Sequence, residues 1–273
     1  MTVSPLHGPG SARPTAAQRM LSVLDAFDTD HILLTLSEIS RRSGLSLSTT
    51  HRLVGELRDW GALDRARDGR YSVGLRILEL GGLAPQGLHL RDVALPYLGD
   101  LQHATHANVH LAVRDGHDVV YVESLHARDG VRVLSRLGGR WPMHATGTGQ
   151  VLLAFAPAEF RDEVLATKLR RFTPHTLSDP EDLRRALAQV RRTGVAIAED
   201  QLTMDALALA VPLRGQRDRV VAALGVTVKT GSVSPHAVLP ALAATARAIS
   251  RALGAPSAMT SPAGAAPRPR QGA

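Results

Sequence analysis

Four polar residues on one side of a predicted helix have side chains suited to contacting DNA. They are Ser48, Thr49, His51 and Arg52, within TLSEISRRSGLSLSTTHRLVGELRDWG at residues 35–61. In helix-turn-helix proteins the N-terminal residues of the second helix reach base edges in the major groove. An arginine can bind guanine through two hydrogen bonds, and a histidine can donate to a base or a phosphate. We therefore predict that this polar side faces DNA.

Five arginines near that helix are candidates for contacts with the DNA backbone, and three of them, in a predicted hairpin, could instead reach a minor groove. They are Arg41 and Arg42 on the preceding helix and Arg65, Arg67 and Arg70 in a predicted hairpin. Contacts to phosphate position a protein on the duplex without reading its sequence. The alternative interpretation of the whole pattern is a solvated helix face in a small helical domain.

A second candidate site is the glycine turn in HATGTGQVLLAF, residues 144–155. Gly147 and Gly149 permit close approach to the backbone, and the helix that follows presents free N–H groups at its positive end. A carboxylate would bind well there. The alternative is an ordinary helix N-terminus whose glycines serve packing, because a G-x-G pattern alone is weak evidence.

The residue types argue against metal binding. The sequence contains no cysteine, which excludes a thiolate metal site, a thiol nucleophile and a disulfide framework. His103, His106 and His110 could bind Zn²⁺ by their spacing, but His110 falls in a predicted strand and leaves the shared helical face. We interpret these histidines as surface residues, together with His117, His126 and His144.

The sequence also gives no sign of catalysis. Ser135, Ser178 and the acids near them form no recognisable set of nucleophile and base, and there is no G-x-S-x-G motif. We therefore expect a protein that is not an enzyme and that needs no metal and no cofactor.

The elements that position the polar helix form a winged helix-turn-helix. An amphipathic helix is predicted over residues 16–27, with Met20, Leu21, Leu24 and Phe27 on its apolar side. A second helix begins with a capping box of Thr35 and Glu38 and ends at Gly44.

Ser46 is placed to cap the third helix, which is predicted to span Leu47 to Trp60 and to end at Gly61. Its buried stripe is predicted to be Leu47, Thr50, Leu53, Val54 and Leu57. A hairpin follows, because Asp68-Gly69 favours a type I′ turn between Leu63 and the strand Tyr71 to Val73. Three helices and a hairpin are typical of a winged helix.

The rest of the chain predicts an α+β fold with a largely antiparallel sheet. Residues 74–107 predict a helix, a break at Gly82, Pro85 and Gly87, and a second helix that Pro96 should kink or interrupt. NVHLAV and DVVYVESL predict strands joined by a turn at residues 114–117, and GVRVLSRLG predicts a third strand. VAIAE, LALAVPL and VVAALGVTV predict later strands, with helices opening at Asp179-Pro180 and spanning 236–253.

Length and composition indicate how many domains the chain can form and where in the cell we expect it. The chain has 273 residues, 44% of them hydrophobic, and a net charge of +7 that comes almost entirely from arginine. We predict disordered ends at 1–15 and 255–273, a DNA-binding domain at 16–73, a linker helix region at 74–90 and a second domain at 91–254. No apolar stretch of about 20 residues and no signal peptide is present, so we expect a cytoplasmic protein without a membrane contact.

The combination of these segments resembles the IclR family of bacterial transcriptional regulators. The resemblance rests on TLSEISRRSGLSLSTTHRLVGELRDWGALDR, RYSVGLRILELG, HLRDVALPYLGDLQHAT, WPMHATGTGQVLLAF and GVAIAEDQLTMDALALAVPLRGQ, and it covers roughly residues 16–254. It implies an N-terminal winged helix-turn-helix, a linker helix and a C-terminal GAF-like effector domain. It also implies a homodimer or a homotetramer that binds a double-stranded DNA operator with an inverted repeat.

The resemblance further implies a site for a small organic acid effector. It implies that the backbone N–H groups of Gly147 and Thr148 donate hydrogen bonds to this acid, and that Gly149 also belongs to the site. The other matching positions are Ala198, Ala208, Gly225 and Thr227, of which Thr227 alone keeps a hydroxyl, and Asp205 stands where the family has glycine. These residues imply a pocket less polar than one built for a two-carbon acid, and so an effector with an apolar or aromatic body.

Two other classes of protein stay open at this point. One is an enzyme with an appended DNA-binding domain, which turnover of a small acid would reveal. The other is an interaction module whose winged helix binds protein, which a lack of salt-sensitive DNA binding would reveal.

Overall fold

The computed structural model describes residues 14–28, 30–83, 85–128, 130–131, 133 and 135–259. The predicted disordered end at 1–15 falls outside these residues apart from 14 and 15, and so does 260–273 of the predicted tail. The chain divides into two compact units, 1–85 and 86–273.

The first unit is a winged helix-turn-helix. Its elements are α1 (Ala16–Leu24), α2 (Leu36–Ser43), α3 (Leu47–Trp60), β1 (Leu63–Arg65), β2 (Tyr71–Val73) and α4 (Leu75–Gly81). The two strands pair antiparallel as a hairpin. The three helices and the hairpin enclose a small apolar core that includes Val23, Ile39, Leu53 and Leu63.

The helix ends in this unit follow local capping rules. Thr35 N–H donates to Glu38 Oε2 over 2.8 Å, and Glu38 N–H donates back to Thr35 Oγ1 over 3.3 Å. Gly44 ends α2 in the left-handed conformation, at φ +70°. Ser46 Oγ accepts from Thr49 N–H, which begins α3. The predicted capping box and the bounds of α3 are confirmed.

Two predicted core positions are wrong. Leu21 is 53% exposed and Leu47 is 52% exposed. Leu47 is the first residue of α3, so its side chain lies beyond the core that begins at Thr50. In α1 the buried residue is Val23. The prediction of an apolar side running to Phe27 is also too long, because α1 ends at Leu24.

The wing turn differs from the predicted type I′. Gly69 has φ +84°, but Asp68 is not among the residues with positive φ, which a type I′ turn requires. Gly69 N–H instead donates to the Ala66 carbonyl over 3.0 Å, and Ala66 N–H donates to the Arg70 carbonyl over 2.8 Å. This pattern fits a three-residue loop in which a left-handed glycine follows the turn.

The second unit is a six-stranded antiparallel sheet with helices on both faces. Its strands are β3 (Asn108–Asp115), β4 (Asp118–Leu125), β5 (Arg140–Pro142), β6 (Ala196–Glu199), β7 (Ala206–Arg214) and β8 (Val220–Lys229). Their order in the sheet is β5-β4-β3-β8-β7-β6. The predicted α+β class with an antiparallel sheet is confirmed.

The helices cover the sheet in two layers. They are α5 (Pro85–Thr105), α6 (Gly147–Ala154), α7 (Ala158–Ala166), α8 (Pro180–Thr193), α9 (Pro235–Ala252) and the short α10 (Pro256–Met259). One apolar cluster combines residues of α5 and α9 with the sheet, and a second combines residues of α6, α7 and α8 with it. No helix in the described part of the chain is long and apolar enough to cross a membrane.

The predicted order of helix, break and helix over residues 74–107 is confirmed, because α4 ends at Gly81 and α5 begins at Pro85. Pro85 and Gly87 lie in α5 and not in the break, and Pro96 lies inside α5 without ending it. The buried residues Leu90, Ala94, Leu98 and Leu101 hold α5 in the core on both sides of Pro96. The described residues of GVRVLSRLG form no strand. The predicted third strand is therefore wrong for these described residues. At the end of the segment, Gly138 N–H donates to the Tyr121 carbonyl over 2.8 Å and Tyr121 N–H donates to the Gly139 carbonyl over 3.0 Å.

Candidate functional site

The polar side of α3 is accessible in the first unit. Ser48, His51 and Arg52 are exposed and Thr49 is half-buried, whereas Thr50, Leu53, Val54 and Leu57 on the opposite side are buried. Arg52 forms an ion pair with Glu56 one turn along the helix, and both side chains are about half exposed or more, at 60% and 47%. Such an exposed pair is weak, so it leaves Arg52 able to exchange Glu56 for another partner.

Arg42 is committed to contacts inside its own unit. Its Nη2 lies 2.5 Å from Asp28 Oδ2, and its Nε donates to the Ala26 carbonyl over 2.5 Å. Burial raises the pKa of the Asp28 carboxyl, but hydrogen bonds from His31 and from the backbone of Asp30, with the charge of Arg42, bring that pKa below its ordinary value. Arg42 therefore stabilises the connection between α1 and α2, and we remove it from the phosphate-binding set.

The remaining arginines differ in how strongly they are held. Arg65 stacks over the Tyr71 ring at 5.7 Å, and Arg70 Nε donates to Asp68 Oδ2 over 2.8 Å. Arg41 and Arg67 are exposed, and neither has an ion pair within the described residues. The wing and α2 thus present two uncommitted guanidinium groups.

A cavity lies between the sheet and α6 in the second unit. Its volume is about 50 Å³, several times the roughly 10–15 Å³ that one water molecule requires. The cavity therefore has room for a small molecule. The predicted residues that line it are Gly147, Thr148, Ala198, Ala208, Gly225 and Thr227.

The N-terminus of α6 forms one wall. Thr146 caps the helix, because its Oγ1 accepts from Gly149 N–H over 3.0 Å. The Gly147 and Thr148 N–H groups have no acceptor among the described residues, as expected for the first turn of a helix. Gly149 does not line the cavity, since a Cβ there would lie 2.3 Å from the Met143 carbonyl oxygen. Gly149 is therefore a packing residue, and the prediction that it contacts the effector is withdrawn.

Small residues keep the cavity open. Ala208 and Ala210 lie on β7, and Gly225 lies opposite Ala210 on β8. A Cβ at Gly225 would lie 2.9 Å from Thr148 Cγ2 and would close the space. Asp205, where the resemblance predicts glycine, has φ +59°, a left-handed conformation that aspartate tolerates better than most residues.

Sequence reasoning missed several polar groups of the cavity. His110 was interpreted as a surface residue, but it is 3% exposed. Its Nδ1 lies 3.0 Å from Ser124 Oγ, and its Nε2 lies 3.3 Å from Ser135 Oγ. Burial, with a smaller contribution from His126, lowers the pKa of His110 to about 3, so its ring is neutral at neutral pH. The apolar run around it, NVHLAV, was a usable signal of a strand covered on both faces.

Tyr121 adds a neutral hydroxyl near α6. Thr148 Oγ1 donates to Tyr121 Oη over 3.5 Å. Burial raises the pKa of the Tyr121 phenol, so it keeps its proton and can donate to a ligand. None of the described residues that line the cavity is Asp, Glu, Lys or Arg. These described residues thus offer hydrogen bonds without a charged side chain.

Two family profiles match this chain. The IclR helix-turn-helix domain matches residues 16–67, and the bacterial transcriptional regulator IclR C-terminal matches residues 83–252. The chain belongs to the IclR family. It is 33% identical over 246 residues to the HTH-type transcriptional regulator XynR of Escherichia coli K12, covering 88% of this chain and 98% of that protein. It is 30% identical to KipR of Bacillus subtilis over 194 residues, 71% of this chain and 78% of KipR.

Solved structures of IclR proteins share the fold. An IclR homologue from Microbacterium hydrocarbonoxydans, complexed with 4-hydroxybenzoate, superimposes with a TM-score of 0.82 at 36% identity, covering 88% of this chain and all of that one. IclR of Thermotoga maritima gives a TM-score of 0.73 at 26% identity, covering 87% of this chain and 98% of that one.

Membership of the IclR family decides between the classes of protein that the sequence left open. The family consists of DNA-binding transcriptional regulators, so this chain is a regulator and not an enzyme. The described residues contain no group of three or more His, Asp or Glu side chains arranged to hold a metal ion. His103 and His106, which lie near the end of α5, are exposed.

Proposed function

We propose that this regulator changes its affinity for an operator when a small monocarboxylate with an apolar or aromatic body binds the cavity beside α6. The observation that carries this proposal is the pair of uncommitted N–H groups of Gly147 and Thr148 in a cavity whose described lining residues carry no charged side chain. Backbone donors at a helix N-terminus, aided by the helix dipole, favour an anion.

The charge of the lining limits the ligand class. One carboxylate can be balanced by the α6 N-terminus and by hydroxyl donors such as Tyr121. A second carboxylate would be buried without a partner, and a cationic amine would meet no carboxylate, so both are disfavoured. We therefore propose a monoanion.

The apolar lining favours a hydrocarbon body on this acid. Val133, Leu202, Leu209 and Val226 line the cavity together with several alanines. The structural relative that holds 4-hydroxybenzoate supports an aromatic acid of that kind. Ser135 and Thr203 also line the cavity, and their hydroxyls can form hydrogen bonds with a polar substituent on the ring.

For the first unit, we propose that α3 enters the major groove of an inverted-repeat operator. Ser48, Thr49, His51 and Arg52 contact base edges, supported by their position at the N-terminal half of the helix. Arg41 and Arg67 contact phosphate, and Arg65 and Arg70 join them after releasing their weak exposed partners. The protein acts as a homodimer or a homotetramer in the cytoplasm, where bacterial chromosomal DNA lies.

The test is operator affinity with and without a panel of small molecules. Genomic fragments captured by the purified protein supply the operator. Benzoate, 4-hydroxybenzoate and phenylacetate are expected to shift the affinity, while benzylamine, benzyl alcohol and the dianion terephthalate are not. A response to the amine or the alcohol and to no carboxylate would contradict the proposed ligand class.

Substitution of Gly147, the first residue of α6, provides a second test of the proposed site. A Cβ at Gly147 would lie 3.5 Å from Ala210 Cβ and 3.6 Å from Ala208 Cβ, which is ordinary contact. Gly147→Ala is therefore a mild control, whereas the branched side chain of Gly147→Val fills the space beside the donors. Gly147→Val is expected to keep operator binding and lose its response to carboxylates, because a ligand acts only through differential affinity for two states. A fully responsive Gly147→Val would place the ligand elsewhere.

A further inference from the structure

Gln201 lies on the cavity wall in the loop between β6 and β7. Its main-chain carbonyl accepts from Thr176 Oγ1 over 2.6 Å and from Thr173 Oγ1 over 3.3 Å. The preceding Asp200 holds the same loop, because its Oδ1 accepts from Ala206 N–H over 3.0 Å and from Thr230 Oγ1 over 2.9 Å. The backbone of Gln201 is therefore fixed.

The side-chain amide of Gln201 is also oriented. Gln150, on α6, donates through Nε2 to the His144 carbonyl over 3.0 Å and to Gln201 Oε1 over 2.5 Å. A main-chain carbonyl can only accept, so the Gln150 amide must turn its nitrogen toward His144 and toward Gln201. Gln201 must then present its oxygen to Gln150. Its NH₂ group is left with two donors and no acceptor among the residues that the structure describes.

We propose that Gln201 is a ligand-binding residue whose amide NH₂ donates to the effector carboxylate, and that Gln150 is the positioning residue that keeps this NH₂ turned to the cavity. The inference rests on the function proposed above. Gln150 is 1% exposed and lies about one turn after Gly147 on α6, so the Gln201 amide is brought beside the same helix N-terminus.

Beside the α6 N-terminus, the arrangement requires a ligand group that accepts hydrogen bonds. The Gly147 and Thr148 N–H groups and the Gln201 NH₂ are donors, and neither the backbone groups nor the oriented amide can accept. A carboxylate accepts through both oxygens. The primary amide of the same acid would turn its own NH₂ toward one of these donors, so the site should select an acid over its amide.

The experiment measures the binding of benzoate and 4-hydroxybenzoate, and of benzamide and 4-hydroxybenzamide, to the full-length protein by calorimetry. Wild type is expected to bind the acids at least tenfold more tightly than the amides. Gln201→Leu should weaken acid binding roughly 10- to 100-fold, as expected for a hydrogen bond to a charged group. Gln201→Glu should abolish acid binding while binding of the amides is kept or improved.

Gln150→Leu tests positioning through the acid-to-amide ratio. It leaves Gln201 free to turn its oxygen to the cavity, so the preference for acid over amide should fall, whereas a general loss of folding would weaken both ligands alike. Gln189→Leu is the matched control, because Gln189 is an exposed glutamine on α8 that accepts from Arg192. It should behave like wild type.

Three outcomes decide the inference. The expected losses with Gln201→Leu and the altered ratio with Gln150→Leu support it. Equal binding of the acids by wild type and Gln201→Leu overturns it while the proposed effector class survives. If wild type binds neither acid, the aromatic carboxylate class fails and the assigned role of Gln201 fails with it.

Discussion

Burial sets the charge of single residues on the cavity wall. His110 and Tyr121 are 3% and 4% exposed. Burial lowers the pKa of the histidine and raises that of the phenol, so both are neutral at neutral pH. These two side chains therefore offer donors and acceptors without net charge, and the α6 N-terminus is the group that we propose balances an anion.

The buried neutral His110 makes the stability of the second unit depend on pH. Its pKa is about 3 in the folded protein against 6.5 for an unperturbed histidine. Between these values the unfolded chain binds more protons, so the free energy of unfolding falls as pH drops below 6.5, by up to about 1.4 kcal/mol per pH unit. Urea unfolding of His110→Gln should therefore depend less on pH between 4 and 6.5 than that of wild type.

His144 provides the internal comparison for this measurement. Burial also lowers its pKa, and it is present in both proteins, so some pH dependence should persist in the variant. If wild type and His110→Gln lose stability equally on acidification, His110 is not the group that titrates.

Two arginines with different surroundings should give different DNA-binding phenotypes. Arg52→Ala is expected to cost about 1–3 kcal/mol at the cognate operator and to relax specificity at one base position, if Arg52 binds guanine through two hydrogen bonds. Arg67→Ala should weaken binding to all sequences alike and reduce the salt dependence, because a phosphate contact releases counterions. Titrations with operator and random DNA at several salt concentrations distinguish them, and identical behaviour of the two variants would contradict these roles.

At the scale of elements, the wing depends on the backbone of one residue. Gly69 has φ +84°, and a Cβ there would meet only Arg65 Nη2 at 3.6 Å. Conformation and not space is therefore the constraint. A β-branched residue is poorly tolerated in the left-handed region, whereas asparagine is accepted there.

Gly69→Val should therefore distort the hairpin between β1 and β2 and weaken operator binding, while the binding of carboxylates by the second unit is unchanged. Gly69→Asn, the control, should retain most of the DNA affinity. Electrophoretic mobility shifts and ligand calorimetry on both variants provide the measurement. If Gly69→Val loses DNA binding and ligand binding together, the two units do not function independently.

At the scale of the whole molecule, the helix-turn-helix and the cavity beside α6 lie in separate compact units of one chain. A two-fold dimer presents two copies of α3 to the DNA, so we expect an inverted-repeat operator with half-site centres about one helical turn, roughly 10–10.5 base pairs, apart. Footprinting should show dyad symmetry, and light scattering should give two or four chains per complex. A footprint without dyad symmetry would contradict the dimer.

The sequence by itself determined those features that local interactions decide. The bounds of α3, the capping box at Thr35 and the hairpin of β3 and β4 depend on hydrogen bonds and side-chain periods within a few residues, and these were predicted correctly. The resemblance carried by the order of the quoted segments was sufficient to indicate the family.

The tertiary structure alone decided which polar groups meet. Gln150 and Gln201 are 51 residues apart in the chain, and His110 and Ser135 are 25 apart, so no local pattern specifies their contact. The partner of Arg42 was likewise not evident from the sequence. We predicted a phosphate contact for it, whereas in the folded protein it forms an ion pair with Asp28. Side-chain chemistry depends on burial and on partners, and both are set by the packing of distant segments around one sheet.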